Sequence, residues 1–147
     1  MGATADHIAK FGYVLPRINQ VPFAPISCCG NLVFVSGQIS RTDAGVIEGP
    51  IQRLAPEQLR EAVHAALLRA LGALDAGLPQ QLPVKHILKL TGYVSTSAPN
   101  LDPAIFNGAS ELLMELYGAA GNHARTVIGV GAAPYNAAIA VDLIAAT

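Results

Sequence analysis

Arg125 is the residue best placed to do chemistry. It stands between an apolar stretch and the run Thr126-Val-Ile-Gly-Val130. A guanidinium matches a carboxylate bidentately, and a half-buried arginine with no acidic neighbour in sequence calls for an anion. That anion is either a ligand or a structural partner, with Glu111, Glu115 and Asp142 as the candidates for an ion pair. His123 precedes Arg125 by two residues, so both point to one side of an extended strand. An imidazole there could move protons near neutral pH, although a hydrogen-bonded structural histidine is the plainer reading. Ser36-Gly37-Gln38 lacks the strand-to-helix turn of a nucleophile elbow, and its glycine more plausibly lets a ligand approach the backbone. His7, His64, His86 and His123 have no metal-ligand spacing, so neither a metal nor a cofactor is expected. The adjacent Cys28 and Cys29 read as inert packing.

The elements that must position these groups follow from periodicity and punctuation. The segment up to Pro25 reads as irregular, broken by Pro16, Pro22 and Pro25. Asn31 to Gln38 is a β-rich run after the turn signal Cys29-Gly30-Asn31, and Arg41 to Gly49 reads as a polar loop. Pro56 opens a helix in which Leu59, Ala62, Val63, Ala66, Leu67, Ala70, Leu71 and Leu74 recur on one face, closed by Gly77 and Pro79. His86 to Ser95 is a strand. Asp102-Pro103 starts a second helix with Ile105, Ala109, Leu112, Leu113 and Leu116 on one face. Arg125 to Val130 and Ala137 to Ala145 are two last strands, separated by the turn-like Gly131-Ala-Ala-Pro-Tyr-Asn136. Helices interspersed with a mixed sheet predict an α+β fold in one domain over residues 1–147, with two helices on one face.

Composition narrows the partners. The 147 residues include 25 alanines and no tryptophan; 52% are apolar and 13% charged. That is about half the ~25% charge of ordinary soluble domains. Apolar surface in such excess predicts burial against further copies of the chain. A net charge of −1 without a basic cluster leaves no footprint for nucleic acid. The uncharged run Thr126 to Val141 is broken by glycines and Pro134 and falls short of a bilayer span, so no membrane partner is expected. Met1 to Ala9 carries Asp6 and His7 where a secretion signal needs an apolar core. Two adjacent cysteines without partners suit a reducing compartment, which predicts a cytoplasmic protein.

Four motifs occur in order: Asn31-Leu-Val-Phe-Val-Ser-Gly-Gln38, Lys89-Leu-Thr-Gly-Tyr-Val94, Asn107-Gly-Ala-Ser110 and His123-Ala-Arg-Thr-Val127, with Pro134 nine residues beyond Arg125. Together they resemble the Rid family (YjgF, or endoribonuclease L-PSP), in a divergent branch with a His-Ala-Arg motif. The resemblance spans Val21 to Ala145. It implies a chorismate-mutase-like fold and a homotrimer with ligand clefts between subunits. The activity it implies is hydrolysis of reactive 2-imino or 2-enamino acids to 2-keto acids and ammonia. The family's active-site arginine maps onto Arg125, and the backbone at Gly37 and Val127 would help to hold the substrate carboxylate. Residues lent by a neighbouring subunit map onto Phe23 and, across a one-residue gap, onto Asn107. Tyr135 either shapes the cleft or merely forms a turn. The departure from the family that bears on its chemistry lies fifteen residues beyond Arg125, where the catalytic glutamate is replaced by Ala140. Either another group activates water, with His123 and Asp142 in view, or the scaffold binds a small carboxylate or runs another reaction without deamination.

Overall fold

A computed structural model describes residues 2–147. Helix α1 (Ala3–Ala9) is followed by strands β1 (Ile26–Cys29) and β2 (Leu32–Ile39), then a small hairpin of β3 (Arg41–Thr42) and β4 (Gly45–Val46). Helix α2 (Pro56–Gly77), strand β5 (His86–Ser95), helix α3 (Asn107–Tyr117) and strands β6 (Ala124–Val130) and β7 (Ile139–Ala146) complete the chain. Strands β1-β2-β7-β5-β6 form one mixed sheet in that order, with β5 and β6 parallel and the other pairs antiparallel. The expected α+β architecture is present.

Helix α2 begins where Pro56 needs no N–H partner, and Gln58 Oε1 accepts the N–H of Ala55 at 2.9 Å. Ala62, Val63, Ala66, Leu67, Ala70, Leu71 and Leu74 form its buried face. They pack on Val33, Val35, Leu90, Val141 and Leu143, which point to the same side of the sheet. Along β7 burial alternates strictly, with Ile139, Val141, Leu143 and Ala145 buried and Ala140, Asp142 and Ile144 half-buried on the opposite side. That opposite, outer side also exposes Phe34 and Ile128.

Two glycines bring α3 onto the sheet. A Cβ at Gly92 of β5 would lie 2.4 Å from the Phe106 ring, so the fully buried Phe106 rests directly on the strand backbone. Phe106 precedes Asn107, the first residue of α3, and Gly92 pairs with Val127 of β6. The start of α3 is thereby pinned over β6. At the other end, a Cβ at Gly121 would lie 2.1 Å from the Leu113 carbonyl oxygen, which lets the chain turn tightly from α3 into β6.

Three expectations need correction. There are three α-helices among the described residues, not two. Helix α1 is too short for a periodic signal and exists by tertiary capture. Thr4, Ala5 and Ile8 are buried, while Asp75 of α2 accepts the Ala5 N–H at 2.8 Å. The segment from Arg41 contains a hairpin rather than a featureless loop. Cys28 and Cys29 are exposed on edge strand β1 instead of packed.

Candidate functional site

Strand β6 lies at the sheet edge, and Arg125 is paired with Leu90, whose side chain enters the core. The alternation of the parallel pair therefore turns Arg125 toward α3. Its Nη1 donates to Asn107 Oδ1 at 3.0 Å and to Ser110 Oγ at 3.2 Å. Asn107 and Ser110 are one helical step of three apart, which places them side by side on α3. His123 joins the same cluster. Its Nδ1 lies 2.7 Å from the Gly121 carbonyl oxygen and its Nε2 3.0 Å from Ser110 Oγ. A carbonyl can only accept, so Nδ1 carries the proton and a neutral ring leaves Nε2 free to accept the Ser110 hydroxyl. The polar order is then Arg125 to Ser110, Ser110 to His123, and His123 to the Gly121 carbonyl.

Both partners of Arg125 are neutral, and its hydrogen bonds to described residues all leave from Nη1. The ion pair with Glu111, Glu115 or Asp142 is not formed. Asp142 instead accepts the Tyr93 hydroxyl at 2.7 Å on the outer side of the sheet. That bond, then burial, then the carboxylate charge push the Tyr93 hydroxyl above its ordinary range. Ala140 pairs with Tyr93, so its methyl lies on this outer side and not on the side of Arg125.

The site residues read from the sequence divide into two groups. Arg125, Asn107 and His123 come together, and Val127 follows two residues along β6, half-buried against the core. Asn107 serves the Arg125 of its own chain. Gly37, Phe23 and Tyr135 lie elsewhere. Gly37 occupies the irregularity in β2 between Val35 and Gln38. Three strand spacings separate β2 from β6, which is roughly 14 Å. Phe23 is 58% exposed in the segment before β1. Tyr135, 75% exposed, follows the far end of β6, with its ring 5.0 Å from Arg41 Cζ. Ser110 closes the Asn107-Gly-Ala-Ser110 motif, and its three-residue spacing from Asn107 is the sequence signal that singles it out. Tyr93 had no comparable signal. Among the described residues no group of three His, Cys, Asp or Glu could hold a metal ion, and no helix is long and apolar enough to cross a membrane.

No family model matches the chain. Protein TCP17 of Trypanosoma cruzi is 30% identical over 152 residues, covering 97% of this chain and 93% of that protein. A solved structure from Shewanella oneidensis, named as an endoribonuclease, superposes with a TM-score of 0.86 at 23% identity over 98% of this chain and 99% of that one. Full-length similarity to TCP17 on this fold, with the four motifs in order, decides the matter. The chain belongs to the Rid family. A further solved structure of the Rid fold, Escherichia coli TdcF with bound serine, has a TM-score of 0.61 at 22% identity over 90% of this chain and 93% of that one. In this Rid protein the polar cluster around Arg125 is the candidate site.

Proposed function

We propose that the protein binds a small carboxylate-bearing imine or enamine at Arg125 and hydrolyses it to the keto acid and ammonia. The observation that carries this reading is the engagement of Arg125. Asn107 and Ser110 hold Nη1, while Nε and Nη2 have no hydrogen-bond partner among the described residues and form a side-on fork for a carboxylate. TdcF, which shares the fold, holds serine, a ligand that carries such a carboxylate.

In this reading the carboxylate docks on the Arg125 fork and directs the C=N carbon toward Ser110 and His123. Water adds to that carbon, and its proton passes through the Ser110 hydroxyl to Nε2 of His123. His123 returns that proton through Ser110 to the imine nitrogen, giving the carbinolamine. The C–N bond then breaks as the carbinolamine hydroxyl proton is relayed by the same route to nitrogen, leaving the keto group and ammonia. A neutral His123 is required, because a protonated ring cannot accept from Ser110. Gly37 and Phe23 lie too far away within one chain, so they complete the cleft from a neighbouring copy in a homotrimer. The exposed Phe34 and Ile128 give the outer side of the sheet apolar surface for that association. Exposed, unpaired Cys28 and Cys29 suit a cytoplasmic setting.

Ala140 favours a second reading, in which the same cleft binds a keto acid or runs another reaction without deamination. The test generates 2-iminobutyrate in situ and follows its hydrolysis by wild type, Arg125→Ala and Ala140→Glu. The first reading expects activity in wild type and its loss in Arg125→Ala. An inert wild type rescued by Ala140→Glu establishes the second. Wild-type activity that persists in Arg125→Ala rejects the assigned site.

A further inference from the structure

A cleft of about 760 Å³ opens between the segment 14–19, the β3–β4 hairpin and one flank of α2. That volume falls within the range of small-molecule sites. Leu15, Pro16, Ala65 and Leu68 supply apolar wall, and Arg17, Arg41 and Arg69 enter from three different elements. None of its lining residues belongs to α3 or β6, so it is distinct from the Arg125 cluster.

Its arginines are left in an uncompensated state. Nε of Arg69 is buried without a hydrogen-bond partner, a condition that native structures rarely tolerate without an ion, a water or a ligand. Burial, and next the charge of Arg41, make the Arg69 cation harder to maintain. Arg41 is held by the Tyr135 ring against its guanidinium, and Tyr135 carries a backbone φ of 56° that side chains other than glycine seldom adopt. Asp43 and Glu61 also line the cleft, yet among the described residues neither hydrogen-bonds to a guanidinium there. The lining stays net positive by a small margin, which suits a monoanion better than a phosphate dianion.

We propose that this cleft is a second ligand site, taking an organic monocarboxylate whose apolar body lies along Leu15 and Leu68 while its carboxylate bridges Arg41 and Arg69. Tyr135 belongs to this site, where it positions Arg41.

The test uses the full-length chain in the Arg125→Ala background, which removes the first carboxylate site. Hexanoate, hexanamide and inorganic phosphate are titrated calorimetrically. Hexanoate is expected to bind with one equivalent per chain, with hexanamide and phosphate each at least tenfold weaker. Adding Arg69→Gln or Arg41→Gln is expected to weaken hexanoate tenfold or more. Arg41 lies on a surface hairpin, so its variant reports on the site even where Arg69→Gln impairs folding. Absence of hexanoate binding, equal binding of hexanamide, tighter binding of phosphate, or full affinity in Arg41→Gln overturns the proposal. Failure here leaves the Arg125 reading intact, and failure of imine hydrolysis leaves this site intact.

Discussion

The two sides of strands β5, β6 and β7 carry contrasting polar groups. On the helix side, Arg125, Ser110 and His123 form a chain that ends in an open guanidinium fork. On the outer side, beside Ala140, the Asp142 carboxylate and the Tyr93 hydroxyl satisfy each other. A group already bonded to its neighbour must lose that bond before it can act on a ligand, whereas an unpaired fork gains one. The contrast leaves the helix side, and not the outer side beside Ala140, with a charged group free to engage a ligand.

The sharpest way to break this contrast is His123→Gln. Glutamine preserves hydrogen bonding but cannot take up a proton, so imine hydrolysis should fall by about a hundredfold, the low end of general-base contributions. A rate within twofold of wild type would reduce His123 to a structural role.

A smaller effect is expected from Gly92→Ala, which forces a methyl into the Phe106 ring. Overpacking of this kind costs about 2 kcal/mol, measurable as a shift in the urea midpoint. Because Phe106 pins the start of α3 over β6, carboxylate binding should weaken together with stability, while the Tyr93–Asp142 pair should be spared.

Tyr93→Phe should have the least effect. The Tyr93–Asp142 bond is solvent-screened, so its loss should cost about 0.5 kcal/mol and leave hydrolysis unaltered. Asp142 raises the Tyr93 hydroxyl above its ordinary value of 10.0. The stabilisation is therefore fully present below that value and is lost as pH rises through the higher folded one. The stability difference between wild type and Tyr93→Phe should shrink in that alkaline window, as denaturation at a series of pH values would show.

Much of this arrangement was legible from residue order. Pro56 and Gly77 bracket α2 as their punctuation implied, and His86 to Ser95 is β5. Those elements announce themselves because long apolar periods dominate local preference. Helix α1 does not, since its stability comes from Asp75 and the core rather than from its own seven residues. The same division holds at the site. His123 and Arg125 share a strand and Asn107 and Ser110 share a helix, so spacing brings each pair together. Gly37 and Tyr135 are separated from Arg125 by sheet order and strand length, which no motif spacing encodes. Tyr135 turns instead to Arg41, a contact between the β6–β7 connection and the distant β3–β4 hairpin.

The most direct measurement compares kcat/KM for 2-iminobutyrate hydrolysis in Arg125→Ala and Asp142→Asn, one substitution on each side of the sheet. Truncating one partner of a hydrogen-bonded charge pair costs about 2–5 kcal/mol, so Arg125→Ala should fall at least thirtyfold while Asp142→Asn stays within twofold of wild type. Loss of activity in Asp142→Asn with retention in Arg125→Ala would place the chemistry on the outer side and contradict the assignment.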